Sequence, residues 1–482
     1  MKLPLTPTRD PFALDEAAVR LLAPRVRGAL RIAGRGDPAV ASVCVGVPAG
    51  LDLSAAVLAA RRPADRFFCI EQPGRDGHAV CGVGAAVTVE SEGPDRFAEA
   101  AAACRELAAR TVADDPARDP RRPPGAGTVF AGGFAFAPRG GGTPEWSSFA
   151  PAQLVLPEVS FARQGPEARM TVNVAVEGHE SVDGMLDQVR DRLSELRPAA
   201  MPMLDPDPVA RSRVAGAAAP SHYEEAVRRA VERIRAGELD KVVLAREVRV
   251  HAGAAIDPAP VLDALRAAFA DCYCYCVGSP EAALVGASPE LLVRRDGARV
   301  QSVALAGTTR RSADPAVDVH LGEQLLQSAK NRGEQAIVAR RIERMLDPVS
   351  LWLAAAGEPV LVKVQNVQHL ATPIRAQLAE PISAVELAGR LHPTPAVGGE
   401  PGAVAQPLIP ALEGLDRGWY AGAVGWTDLA EDGEFCVALR CALIRGSVAH
   451  LYAGCGIVAD SVPAEELAET EVKLEALLPL LA

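Results

Sequence analysis

With 482 residues, 49% of them hydrophobic and 23% charged, the chain can bury a large core in one or two domains. Its net charge of −11 excludes a general nucleic-acid binder, which needs a basic surface to displace phosphate counterions, but it suits a cation and tolerates a small anion held by a local cationic cluster. Residues 1–16, MKLPLTPTRDPFALDE, hold no signal-like apolar run. No later segment approaches the charge-free span of about 20 residues that crosses a bilayer, so a cytoplasmic protein without membrane association is expected.

In chain order, VASVCVGVP in the first fifty residues predicts a strand, and Phe67–Glu71 and Ala79–Val89 predict two more. Phe97–Ala109 predicts an alanine-rich helix, and the Pro- and charge-rich stretch 114–127 a surface loop. Strands follow at Thr128–Phe136, Gln153–Pro157 and Arg169–Val176, then a helix at Asp183–Leu196. The Pro/Ala-rich stretch 201–220 is read as a connector between residues 1–200 and a region 221–482, the two together forming one compact domain. Beyond it the pattern predicts a helix over Tyr223–Ala236, strands at Lys241–Val250 and Cys272–Gly278, and one long helix over Val319–Leu346. Strands at Val360–Gln368, Trp419–Val424, Glu434–Ile444 and Ser447–Tyr452 precede a final helix over Ala464–Leu478. The ten cysteines lack zinc-finger spacing; Cys272, Cys274 and Cys276 alternate onto one strand face, as free thiols in a core do. No dinucleotide fingerprint and no Walker A loop occurs.

Several residues carry possible chemistry. Glu466, Glu469 and Lys473 share one helix face, which reads either as a solvated acidic surface or as a site for a hard cation. Asn331 and Glu334 share a face in the same way, and a second carboxylate brought beside the first requires a cation. Lys241 opens an apolar strand; it is an ordinary strand-end lysine unless its surroundings lower its pKa to about 7–8, as a general base needs. Glu290 sits between a tight turn and an apolar run, where burial would keep it protonated. Gly307 and Thr308 offer an N–H and a hydroxyl, His369 stands alone, and LHPTPAVGG around Thr394 forms a rigid loop. Tyr420 adds a phenol, Arg440 reads as the only arginine inside an apolar strand, and Gly454 and Gly456 interrupt the last strand, exposing N–H donors to an anion.

The motifs KVVLAR, GASPELL, LAGT, SAKNRGEQ, VQHLAT, HPTPAVGG, YAGAVGW, ALRCA and AGCGIV…AEELAETEVK occur in the order found in chorismate-utilising enzymes, and the chain resembles their isochorismate synthase branch firmly over 220–478. GGFAF, Trp146 and VLPE resemble the weaker N-terminal half. The resemblance implies an α/β (α+β) fold of two facing antiparallel sheets surrounded by helices, with the active site in the cleft between them. It also implies Mg²⁺-dependent interconversion of chorismate and isochorismate by water addition at C2 and loss of the C4 hydroxyl. By resemblance Lys241 activates the water and Glu290 protonates the leaving hydroxyl, while Glu334 and Glu469 bind Mg²⁺ directly and Glu466 more remotely. Tyr420, Arg440, Gly454 and Gly456 grip the enolpyruvyl carboxylate, and Gly307, Thr308, His369 and Thr394 surround the ring.

Lys241 separates the chain from the ammonia-using branch. Salicylate synthase, which goes on to eliminate pyruvate, shares these residues and stands as the alternative, beside a weakened binding homologue. The product feeds either menaquinone or siderophore biosynthesis, and a monomer is expected, with a dimer open. Three departures, Asn331, Gln335 in place of histidine and Ser312 in place of glycine, predict altered Mg²⁺ dependence, since such neighbours can cost about 10–100-fold in metal affinity or rate.

Overall fold

The computed structural model describes residues 10–34, 37–114, 119, 121–178, 180–205 and 212–482. The centre of the predicted connector, 206–211, and part of the loop 114–127 lie outside the described residues.

Two sheets organise the chain. The larger, with 13 strands among the described residues, runs Arg213–Gly216, Lys241–His251, Val448–Ile457, Cys441–Arg445, Ala283–Ser288, Tyr273–Gly278, Phe67–Gln72, His78–Val83, Val159–Gln164, Glu167–Val176, Ala39–Gly46, Thr111–Val112, with Gly399–Glu400 added beside Lys241. The smaller, with 10, runs Ser350–Ala355, Val367–Leu378, Arg299–Arg310, Leu291–Asp296, Gly433–Val437, Ala423–Asp428, Val129–Phe134, Ala152–Leu156, Val87–Ser91, with Val360–Lys363 on the Val367–Leu378 strand. The expected antiparallel pairing holds except where Ala39–Gly46 meets Thr111–Val112 in parallel. Residues from early and late in the chain pair directly, Cys276 with Cys69 and Ala423 with Phe134.

Strand alternation explains the two cores. Phe68 and Ile70 join Phe130, Phe134, Leu292 and Tyr452 in the cluster between the sheets, whereas Phe67 and Cys69 turn to the outer face, under the helices carrying Leu53, Met185 and Leu262. All ten cysteines are free, and Cys272, Cys274 and Cys276 are buried together in that outer cluster. Among the described residues no helix is long and apolar enough to cross a membrane.

Three local departures from the periodicity shape the cleft. The pattern over 319–346 is two helices, Pro315–Gln327 and Ala329–Leu346, broken at Ser328, whose side chain caps the second by accepting from the Asn331 N–H. The last strand extends over Val448–Ile457 with Gly454 and Gly456 inside it, in register with Ala245 and Val243. Arg440 is not inside a strand: it sits at φ +48° between Gly433–Val437 and Cys441–Arg445, because there the chain passes from the small sheet to the large one.

Candidate active site

Glu290 stands at a second crossing point, between Ala283–Ser288 of the large sheet and Leu291–Asp296 of the small one. The two crossings are tied together, Val437 N–H donating to the Glu290 carbonyl (3.0 Å) and Ala287 N–H to that of Arg440 (3.1 Å). Both side chains therefore enter the space where the sheets diverge. Glu290 is 3% exposed, and burial pushes its carboxyl up to about 8 against the opposing pull of Lys241, the Thr394 hydroxyl and Arg440. Thr394 belongs to the loop between the helix Ala384–Leu391 and Gly399, where the His392–Pro393 bond is cis.

Lys241 is fully buried, and its ammonium lies 2.8 Å from Glu334. Gly456 lies against both, and Gly454 against the Tyr420 hydroxyl. Opposite Gly456, Val243 commits its N–H to the Gly398 carbonyl and its carbonyl to Arg417. The pair is thus a non-hydrogen-bonded one, and the backbone groups of Gly456 point away from the Lys241 strand. The predicted exposure of glycine N–H groups arises from this register, not from a break in the strand.

The acidic helix face is only partly solvated. Glu466 is 3% exposed, and burial together with the Glu469 charge raises its carboxyl above the usual range. Against the pull of burial, Lys473 holds Glu469 below that range. Each carboxylate has its own lysine: Lys330 with Glu466 at 3.2 Å, Lys473 with Glu469 at 2.7 Å, and Lys241 with Glu334. Ligand atoms of Glu466, Glu469 and Cys455 lie within 4.8 Å of one another. Burial drives the Cys455 thiol far above its ordinary value, so it stays protonated and the donors are carboxylate oxygens, which fit a hard cation such as Mg²⁺.

Opposite, a bulge at Gly307 (φ +75°), packed on Asn331, sets Thr308 beside His369 at 3.1 Å. Burial and the Arg440 charge keep His369 neutral, well below its ordinary value. Arg440 can only donate, so Nε2, 3.3 Å from its Nη2, accepts, and the proton sits on Nδ1 near the Gly307 carbonyl. Among the described residues no carboxylate comes within ion-pair distance of Arg440.

Of the predicted site residues, Glu290, Gly307, Thr308, Glu334, His369, Tyr420, Arg440, Gly454, Gly456, Glu466 and Glu469 line one cleft. Lys241 sits just behind Gly456 and Thr394 behind Glu290. Of the three departures only Asn331 lines it; Gln335 is buried against Thr372, and the Ser312 N–H serves Asp318. The sequence reading missed Arg417. Paired with Glu413 at 2.5 Å, it donates to the carbonyls of Val397 and Val243 and so locks the Thr394 loop to the Lys241 strand. The four-residue spacing of Glu413 and Arg417 was its only sequence signal.

Two interleaved sheets enclosing a cleft with an acid, a lysine, a carboxylate trio and an arginine that has no ion-pair partner among the described residues define a class of protein. The chorismate binding enzyme family matches residues 29–482, and the chain belongs to that family. It is 38% identical over 394 residues to the salicylate biosynthesis isochorismate synthase of Pseudomonas aeruginosa, covering 82% of this chain and 81% of that one. It is 36% identical over 355 residues to isochorismate synthase MenF of Bacillus subtilis, covering 74% and 75%. The structure of MenF, the menaquinone-specific isochorismate synthase from Escherichia coli, matches with a TM-score of 0.78 at 26% identity, over 96% of this chain and 100% of that one.

Proposed function

We propose that the chain is an isochorismate synthase that interconverts chorismate and isochorismate. The observation that carries this reading is the placement of Lys241 and the protonated Glu290 around one cleft, with an arginine that meets no carboxylate among the described residues. Adding water at one ring carbon while hydroxide leaves another needs a base and an acid on separate sides of the ring. Lys241 takes a proton from water as the neutral amine, so the ammonium that faces Glu334 must first release a proton of its own. Glu290 donates its proton to the departing hydroxyl, a role its raised pKa suits near neutral pH. Arg440 meets one substrate carboxylate with charge-assisted hydrogen bonds, and Tyr420 and the glycine edge of the last strand flank it. Glu334, Glu469 and Glu466 would hold Mg²⁺, which when bound supplies positive charge to fix the other carboxylate. Gly307, Thr308, neutral His369 and Thr394 shape the ring's surroundings. The direct pairing of early and late strands supports one catalytic domain built from both halves.

Incubation with chorismate and Mg²⁺ followed by chromatography tests this. Isochorismate as the sole product supports the proposal; salicylate and pyruvate formed without an added lyase would make it a salicylate synthase instead.

A further inference from the structure

A second cavity, about 590 Å³, shares Arg417 with the wall of the active site and falls within the range of about 300–1,000 Å³ typical of small-molecule sites. It is lined by the segment 136–140, the helix Gly402–Glu413 and the start of the helix Arg96–Ala109. Its acidic groups are already satisfied. Glu413 is held by Arg417 and the Ala245 N–H, and Asp416 accepts from the N–H groups of Gly141, Gly142 and Gly418. Two of its three arginines are not. Arg96 is 4% exposed, gives Nη1 and Nη2 to the carbonyls of Gly93 and Ala135, and has neither a carboxylate nor a partner for Nε among the described residues. Arg139 lies exposed at the rim, and among the described residues no carboxylate is within ion-pair distance.

His392 lines the same space. Its Nε2 lies 3.0 Å from the Phe136 carbonyl and therefore carries the proton, leaving Nδ1 a buried acceptor that meets no donor among the described residues. Phe97 and Phe136 flank the imidazole at 5.7 and 6.0 Å.

We infer that this cavity binds a small hydroxylated aromatic carboxylate and that its occupancy is coupled to the active site. The carboxylate answers Arg96 and Arg139, the ring packs among Phe97, Phe136 and Ile409, and the hydroxyl donates to His392. Coupling has two physical routes. His392 and Pro393 run directly into Thr394, whose hydroxyl pulls on the charge of Glu290. Arg417 forms the shared wall and holds the carbonyls of Val397 and Val243. A ligand that prefers one arrangement of this wall shifts the active site by that preference.

Calorimetry with 3-hydroxybenzoate on the full chain tests the site. Wild type and Arg440→Met should bind it saturably, whereas Arg139→Glu should bind at least about tenfold more weakly. Arg139→Glu should retain wild-type turnover without the probe, and Arg96→Gln provides a second, buried test of the same pocket. In wild type the probe should change kcat for chorismate, and in Arg139→Glu it should not. Absence of saturable binding at millimolar probe, or binding lost in Arg440→Met but kept in Arg139→Glu, overturns the site. Binding that leaves kcat unaltered refutes the coupling. The binding arm needs no turnover, so its failure is distinct from failure of the proposed reaction.

Discussion

Lys241 and Glu334 form an ion pair of 2.8 Å in which the ammonium is wholly buried, and the absence of a side chain at Gly456 permits it. A Cβ on Gly456 would lie 2.2 Å from Glu334 Oε1 and 2.8 Å from Lys241 Cε. Lys241→Ala removes the proposed base, and steady-state isochorismate formation should fall about 10²–10⁴-fold. Gly456→Ala keeps both groups but displaces them, and kcat should fall about 10²-fold. Unchanged turnover in Lys241→Ala would remove that residue from the reaction.

Glu290 supplies a pH prediction. Its carboxyl is raised from 4.5 to about 8 in the folded protein, so the native state holds a proton that the unfolded chain releases. The stability it contributes is complete below 4.5 and is lost as pH rises towards about 8. Glu290→Gln removes that dependence. The melting temperature of the variant relative to wild type should therefore rise between pH 5 and pH 8 and then level off, as thermal unfolding at several pH values will show. Its turnover should drop about 10²–10⁴-fold, and wild-type turnover should decline above about pH 8 as the acid ionises.

The carboxylate trio predicts a cation effect visible without catalysis. Mg²⁺ added to chelator-treated protein should raise the melting temperature steadily with the logarithm of its concentration, with about 2.7 kcal/mol of stabilisation at a hundredfold excess over its Kd. Glu469→Gln should abolish most of the shift, because it removes one of the clustered oxygen donors. A melting temperature that stays flat across the titration would count against a metal site.

Arg440 bears a half-buried charge that meets no carboxylate among the described residues and faces the His369 ring, and its burial lowers its pKa. In Arg440→Met the desolvation cost disappears while the shape is largely kept, so the free protein should melt higher. The KM for chorismate should rise at least about tenfold, since a charge-assisted contact is lost. A variant less stable than wild type with an unchanged KM would show that the arginine serves the fold.

Glu466, Glu469 and Lys473 on one helix face, Lys241 at the mouth of its strand and Glu290 after a turn were all legible in the sequence, because helix and strand spacing follow from local backbone geometry. The two-sheet architecture was reached by resemblance, since no local pattern dictates which distant strands pair. Only tertiary structure broke the helical pattern at Ser328, turned Arg440 to positive φ at a sheet crossing, and put Gly454 and Gly456 inside a paired strand. It also assigned each carboxylate its lysine, buried Glu290 deeply enough to keep it protonated, and set Arg417 between two cavities. Burial and charge pairing are long-range quantities: they depend on which segments the fold brings together, and side-chain spacing along the chain carries no record of that.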